Sequence, residues 1–156
     1  MASVEVTHRT SASPQVCWDL MADFANIDFF NPHLDRSHLL PGSPSRGIGT
    51  LRQCDLKGGR GHFRERVVAW NEGESYTVDI YEGTLPVDGT VTTLGLTPEG
   101  AGARLYMRTT YQPRHGLLGQ VMDRLVLRRM FGSMLRGVLV GLAEKAEARA
   151  CRSEAA

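Results

Sequence analysis

The sequence has almost no net charge and no long apolar segment, and these two absences exclude two classes of protein. Its 18 basic and 17 acidic residues leave a formal net charge of +1, whereas a nucleic-acid-binding domain usually concentrates basic residues on one surface. No segment approaches the ~20 apolar residues that span a membrane, and the N-terminal segment MASVEVTHRT lacks the apolar core of a signal peptide. We therefore expect neither a nucleic-acid partner nor stable membrane insertion.

Cysteine is scarce as well, and the histidines follow no metal-binding spacing. Cys17, Cys54 and Cys151 are odd in number and far apart, which argues against a disulfide framework and against a zinc site. The five histidines place no two residues on one helical turn. The glycine-rich segment KGGRG lacks the following helix and the Lys-Ser/Thr ending of a phosphate loop. These absences predict a cytoplasmic protein that holds neither a metal ion nor a cofactor.

The remaining patterns indicate one α+β domain. Residues 3–10 alternate between polar and apolar side chains, as a strand does. Ser13 and Pro14 then form a helix start, and a second short helix over residues 25–29 should end before Pro32. Between residues 37 and 113, turn segments separate runs rich in Val, Thr, Tyr and Leu, which predicts about six more antiparallel strands.

A long helix is predicted from residue 117 to about residue 148. Its apolar stripe changes direction near Arg128, which predicts a bend between Leu127 and Gly132. Gly137 and Gly141 form a GxxxG spacing, which we expect to permit close contact with the sheet or to leave room for a cavity. The expected domain covers residues 1–156, with a packed core over 3–148 and a frayed tail over 149–156.

The turns also predict which strand residues lie opposite each other, because side chains alternate between the two faces of a sheet. The predicted partners are Arg52 with Glu65, Cys54 with Phe63, Val67 with Val78, Ala69 with Tyr76, Ile80 with Thr92, Leu94 with Leu105 and Thr92 with Met107. One face then collects the apolar residues Cys54, Leu56, Phe63, Val67, Val78, Ile80, Leu94, Leu96, Leu105 and Met107. An apolar sheet face needs a cover, and the C-terminal helix is the only element long enough to provide it.

A charged pair falls on this apolar face. Arg52 and Glu65 lie there as direct partners, joined by Tyr76, Thr90, Thr92, Thr109 and Tyr111. Burying two ions in a closed core costs several kcal/mol of desolvation per ion, and a water-containing cavity removes much of that cost. We interpret these residues as the polar end of a pocket. A purely structural ion pair and a ligand-orienting pair have equal weight, and a catalytic pair is the lesser alternative, with Glu65 transferring a proton and Arg52 stabilising an oxyanion.

The element order βααβββββα, the GIGT turn into a strand, the ERVV strand and an arginine-rich C-terminal helix together resemble the START-like (SRPBCC) superfamily. Its members include the bacterial polyketide cyclase/dehydrase-like proteins, and the resemblance covers residues 3–147. It implies a helix-grip fold, in which a curved seven-stranded sheet and two short helices enclose a ligand cavity against the long helix. By resemblance, Glu65 faces that cavity and Arg52 matches a basic residue that helps to position substrate in polyketide aromatase/cyclases. No residue matches the additional His/Asp acid–base groups that some of those enzymes use.

We therefore predict a protein that binds or carries a lipid, polyketide, isoprenoid or aromatic compound. The alternatives are a cofactor-independent polyketide cyclase/aromatase or dehydratase, and a structural or regulatory protein whose cavity is filled by side chains. The sequence leaves open whether the protein forms a homodimer. The predicted ligand-binding residues are Arg52, Cys54, Phe63, Glu65, Tyr76, Val78, Ile80, Thr92, Leu94, Met107, Thr109, Tyr111, Leu118 and Met122, with Arg52 and Glu65 as the catalytic candidates.

Overall fold

The computed structural model of the protein describes residues 1–113 and 126–156. Seven strands, two α-helices and a 3₁₀ helix follow each other along the described chain. They are β1 (Ala2–Thr10), α1 (Pro14–Ala22), the 3₁₀ helix (Phe24–Phe29), β2 (Leu34–Leu39), β3 (Leu51–Leu56), β4 (His62–Asn71), β5 (Ser75–Gly83), β6 (Val87–Glu99), β7 (Gly102–Pro113) and α2 (Arg128–Ala155). A single 3₁₀ turn over Lys57–Gly59 separates β3 from β4.

The strands form one antiparallel sheet in the order β1-β7-β6-β5-β4-β3-β2. Helix α2 contacts β1, β7 and α1 and buries one stripe of side chains. That stripe comprises Phe131, Leu135, Val138, Leu139, Leu142, Ala143 and Ala146. The predicted α+β helix-grip fold is therefore confirmed, with the sheet's apolar face and α2 as the two sides of the core.

The start of α1 follows directly from its sequence. The Ser13 hydroxyl accepts a hydrogen bond from the backbone N–H of Val16 at 3.4 Å, and Pro14 occupies the first turn. A serine cap satisfies one of the N–H groups that a helix start leaves without a partner, and proline has none to satisfy there. This short helix then buries Trp18 and Met21 in the core.

The predicted strand register is correct near the first hairpin. Arg52 lies opposite Glu65 and Cys54 opposite Phe63, and Val67 lies opposite Val78 as predicted. The next predicted pair is wrong, because β4 has an irregularity between Val67 and Ala69 that shifts its register by one residue. Tyr76 therefore lies opposite Trp70 and not opposite Ala69. Such a bulge leaves one residue of the bulged strand unpaired.

The predicted partners in the second half of the sheet are wrong by two residues. Ile80 pairs with Thr90 rather than Thr92, and Leu94 pairs with Met107 rather than Leu105. Thr92 lies opposite Thr109 rather than Met107. Because side chains alternate with a period of two, a shift of two residues leaves every side chain on its predicted face. The assignment of the apolar face survives the error in register.

The C-terminal helix departs from the sequence expectations at its end. It remains helical to Ala155, whereas we predicted a frayed tail from Arg149; the residues from Cys151 onward are helical but exposed. The part of the helix predicted before Val126 lies outside the described residues, so the bend between Leu127 and Gly132 stays a prediction. No helix within residues 1–113 and 126–156 is long and apolar enough to cross a bilayer.

The two spaced glycines of α2 face the turn before β2, which comprises residues 30–33. A Cβ atom added at Gly141 would overlap the carbonyl oxygen of Phe30, and one added at Gly137 would lie 2.8 Å from the His33 Nε2 atom. The His33 Nε2 atom is also 3.1 Å from the Met134 carbonyl oxygen. The glycines thus let the turn before β2 lie directly against α2, which closes one side of the core.

Candidate ligand cavity

A cavity of about 90 Å³ lies between the inner face of the sheet, the turn before β2 and helix α2. Ten of the predicted site residues line it: Arg52, Cys54, Phe63, Glu65, Tyr76, Val78, Thr92, Leu94, Met107 and Thr109. They come from β3, β4, β5, β6 and β7, so one face of five strands forms the wall. The alternation of side chains along the strands was sufficient to find them.

Arg52 and Glu65 form the polar end of this cavity. The Arg52 Nε atom donates a hydrogen bond to Glu65 Oε2 at 3.0 Å, and its Nη2 atom donates to the same oxygen. The Nη1 atom donates to the Phe24 carbonyl oxygen at 2.7 Å, and the guanidinium carbon lies 3.7 Å from the centre of the Phe24 ring. The Arg52 side chain is 1% exposed and that of Glu65 is 8% exposed. The pair is enclosed, and the 3₁₀ helix holds the guanidinium in place.

The guanidinium stays charged in this enclosed position. Burial by itself would lower the pKa of Arg52, but the adjacent Glu65 charge and hydrogen bond act in the opposite direction, and the net effect raises that pKa. The positive charge of Arg52 and the negative charge of Glu65 therefore compensate each other inside the protein. Glu65 Oε2 accepts both hydrogen bonds from Arg52, and Glu65 lines the cavity.

Tyr76 brings a polar atom without a partner to the same end. Its ring is 2% exposed and is held edge-on against Phe24 at 5.4 Å and stacked on Trp70 at 5.7 Å. Among the described residues, the Tyr76 hydroxyl has no hydrogen-bond partner. Burial raises the pKa of Tyr76 to about 12, although the nearby Arg52 charge opposes part of that effect. The group is therefore a neutral O–H at ordinary pH, fixed in position and free to donate.

The other polar residues of the wall are less available. The Thr92 and Thr109 hydroxyls lie opposite each other on β6 and β7 and share a hydrogen bond of 2.9 Å. The Cys54 side chain is fully buried, and burial raises the pKa of its thiol to about 12. Because the thiolate is the reactive form of cysteine, Cys54 acts as apolar wall rather than as a nucleophile.

Two predicted site residues do not line the cavity. Ile80 is half-buried near the end of β5, where the residues that follow it are exposed. Tyr111 is fully buried in a second small cluster with Val87 and Phe131, and its ring stacks on that of Phe131 at 4.6 Å. Tyr111 thus packs against Phe131, which itself lines the cavity. Two further predictions, Leu118 and Met122, lie outside the described residues.

Ten lining residues were missed by the sequence prediction of the site. They are Ile27, Asn31, His33, Leu34, Leu85, Thr90, Phe131, Met134, Leu135 and Val138. Most come from the turn before β2 and from α2, whose distance from the sheet the sequence does not give. The apolar stripe of α2 was a usable signal for three of them, because Phe131, Leu135 and Val138 belong to it. Thr90 was interpreted as part of the polar end of the pocket but was not among the predicted ligand-binding residues.

The described residues contain no cluster of three or more His, Cys, Asp or Glu side chains that could hold a metal ion. Besides its apolar wall, the cavity offers the Arg52–Glu65 ion pair and the Tyr76 hydroxyl, and it is also lined by the polar residues Asn31, His33, Thr90, Thr92 and Thr109. Such a site can bind an apolar molecule and orient a single oxygen-bearing group.

A protein-family model described as "Polyketide cyclase / dehydrase and lipid transport" matches residues 1–147 of the chain. None of the curated proteins compared with the sequence gives a significant match.

Three solved structures show the same fold. The XoxI protein from Bacillus cereus is 20% identical with a TM-score of 0.76, over 93% of this chain and 95% of that one. A START superfamily protein from Mycobacterium smegmatis is 16% identical with a TM-score of 0.76, over 94% of this chain and 97% of that one. The di-domain ARO/CYC StfQ from the steffimycin biosynthetic pathway is 20% identical with a TM-score of 0.77, over 95% of this chain and 51% of that one. Identities this low show the shared fold alone.

Proposed function

Because the chain belongs to the polyketide cyclase / dehydrase and lipid transport family, we propose that it binds or carries a hydrophobic small molecule in the cavity between the sheet and α2. The classes that suit the wall are a lipid, a polyketide, an isoprenoid and an aromatic compound. The observation that carries the proposal is a mostly apolar space between the sheet and α2 with polar groups at one end, at Arg52, Glu65 and Tyr76. Protein interiors are close-packed and hold few voids larger than a water molecule, so a space with this lining suits an occupant.

The size of the space limits that occupant. The space bounded by the described residues measures about 90 Å³. Ligand pockets usually measure about 300–1,000 Å³. A single small ring or a short chain fits the space that the described residues bound.

Substitution of a wall residue tests the proposal directly. Val78 is 2% exposed and lines the cavity, whereas Val68 is 43% exposed and is not among the lining residues. Val78→Phe should fill much of the space and Val68→Phe should leave it unchanged. Both variants and the wild type should be purified in parallel, extracted with organic solvent under denaturing conditions and analysed by mass spectrometry. Circular dichroism checks that each variant is folded.

A hydrophobic compound that co-purifies with the wild type and with Val68→Phe, but not with Val78→Phe, is the expected result. A compound retained equally by all three proteins binds elsewhere and contradicts the proposal. If nothing co-purifies, the same three proteins should be titrated with small cyclic hydrocarbons by nuclear magnetic resonance. Absence of binding to the wild type in that titration contradicts it as well.

Catalysis by a polyketide cyclase/aromatase or dehydratase is the second candidate function. The observation in its favour is the Glu65 carboxylate, which lines the cavity and accepts both hydrogen bonds from Arg52 at Oε2. Adding the protein to a reconstituted polyketide synthase tests it. A changed product profile that Glu65→Gln abolishes supports catalysis.

Three further predictions from the sequence concern the domain organisation, the location and the cofactor requirement of the protein. We infer one domain over residues 1–156, a cytoplasmic location and no cofactor. The assembly, as a monomer or a homodimer, follows from sedimentation of the purified protein.

A further inference from the structure

Two buried side-chain atoms of the described residues have no hydrogen-bond partner, the Tyr76 hydroxyl and the His38 Nδ1 atom. Tyr76 lines the cavity, whereas His38 is not part of its lining. A buried polar group without a partner loses its hydration and gains nothing in return, so native proteins keep few of them. An unpaired hydroxyl in a cavity wall is satisfied when the occupant supplies the missing partner.

We propose that the cavity selects neutral ligands that carry an oxygen acceptor, such as a ketone, ester or alcohol, and that the Tyr76 hydroxyl is the group that binds this oxygen. The proposal rests on the function proposed above and adds the chemical class of the ligand. It assigns specificity to Tyr76, whereas the sequence had assigned polar recognition to Arg52 and Glu65.

The position of the hydroxyl is fixed before any ligand arrives. Tyr76 is opposite Leu94 within the sheet, and its ring is held between Phe24 and Trp70. A donor that is already in position loses little conformational freedom when it binds, so its hydrogen bond contributes more of its strength to affinity. The O–H also stays protonated, because burial raises the pKa of Tyr76 to about 12.

The charge balance of the cavity favours a neutral ligand. The three guanidinium nitrogens of Arg52 already donate to Glu65 and to the Phe24 carbonyl oxygen, so the positive charge is matched within the protein. A carboxylate ligand would bring a second negative charge next to Glu65, and the described lining residues include no lysine and no second arginine to match it. Charges buried without a partner are strongly disfavoured in such an environment. A neutral carbonyl or hydroxyl oxygen avoids this cost and satisfies Tyr76.

Three probes of the same ring size separate these possibilities: cyclopentane, cyclopentanone and cyclopentanecarboxylate. Each should be titrated into the wild type and into Tyr76→Phe, with binding followed by nuclear magnetic resonance. Tyr81→Phe is the matched control, because the Tyr81 side chain is 43% exposed outside the cavity. Thermal unfolding without ligand shows that the variants are folded, and Tyr76→Phe should melt at the same temperature as the wild type or higher, since it removes an unpaired polar group.

We expect Tyr76→Phe to weaken cyclopentanone binding about threefold to tenfold, the effect of one neutral hydrogen bond, and to leave cyclopentane binding unchanged. Tyr81→Phe should change neither. The wild type should not bind cyclopentanecarboxylate at concentrations that saturate it with cyclopentanone.

The failure of this inference is distinguishable from failure of the proposed function. If cyclopentane and cyclopentanone bind but Tyr76→Phe weakens neither, the cavity binds ligands and Tyr76 does not select them, which overturns the inference alone. If cyclopentanecarboxylate binds as tightly as cyclopentanone, the claim for neutral ligands is wrong. If no probe binds to the wild type, the inference and the proposed function are both overturned.

Discussion

The buried pair of Arg52 and Glu65 gives the sharpest prediction for stability. Glu65→Gln keeps the shape of the side chain and removes its charge, so the Arg52 guanidinium loses its counterion at a site where its side chain is only 1% exposed. Breaking a buried ion pair in this way costs about 3–5 kcal/mol. A domain is stable by about 5–15 kcal/mol in total. At about 2–4 °C per kcal/mol for a protein of this size, the melting temperature should fall by roughly 6–20 °C.

An ion pair on the outer face of the same sheet provides the control. Arg66 and Asp79 lie 3.3 Å apart on β4 and β5, and their side chains are 52% and 30% exposed. Exposed pairs contribute about 0–1 kcal/mol, so Asp79→Asn should change the unfolding free energy by less than about 1 kcal/mol. Replacing both buried partners, as in Arg52→Met with Glu65→Leu, removes both desolvated charges and should restore most of the stability lost in Glu65→Gln.

Urea unfolding followed by circular dichroism measures all of these variants. The expected order of stability is wild type and Asp79→Asn together, then the double variant close to them, and Glu65→Gln well below. If Glu65→Gln costs no more than Asp79→Asn, water reaches the Arg52 guanidinium and our description of an enclosed polar end is wrong. If the double variant is as unstable as Glu65→Gln, the loss comes from packing and not from the unpaired charge.

Three further predictions test other parts of the structure. Gly141→Ala should destabilise the protein by about 1–3 kcal/mol, because the added Cβ would overlap the Phe30 carbonyl oxygen. Gly132→Ala is the control: the nearest atom to its added Cβ is 3.6 Å away, so it should gain up to about 1 kcal/mol from helix propensity. Equal effects of the two substitutions in urea unfolding would contradict this. A thiol reagent should detect one fast-reacting cysteine in the folded protein, since Cys151 is exposed and the other two thiols are buried. Cys151→Ser should remove that fast phase, whereas a second fast-reacting thiol would show that the core opens. The pKa of Tyr76 is raised in the folded state from its ordinary 10.0 to about 12. Its contribution to stability is therefore complete below about pH 10 and is lost as the pH rises through 12. The unfolding free energy of the wild type should fall between pH 8 and pH 11 by more than that of Tyr76→Phe.

Much of the candidate site was accessible from sequence because a strand gives its side chains only two directions. Arg52, Glu65 and Tyr76 were placed on the apolar face from the positions of turns alone. That placement tolerated register errors of two residues, as at Thr92 and Leu94, because such errors preserve the face. It was vulnerable only to an odd shift, and the bulge in β4 after Val67 produced one such error, at the predicted partner of Tyr76.

The sequence by itself determined the order of the elements, the inner and outer faces of the sheet, the start of α1 at Ser13 and the buried stripe of α2. These features depend on the periodicity of side chains and on local capping, which nearby residues settle. The tertiary structure alone decided which residues of α2 and of the turn before β2 reach the cavity, and how small that cavity is. It also decided that each guanidinium nitrogen of Arg52 donates a hydrogen bond, while the Tyr76 hydroxyl has no partner among the described residues. Distances between elements far apart in sequence depend on how all the side chains pack at once, and no local pattern records that outcome.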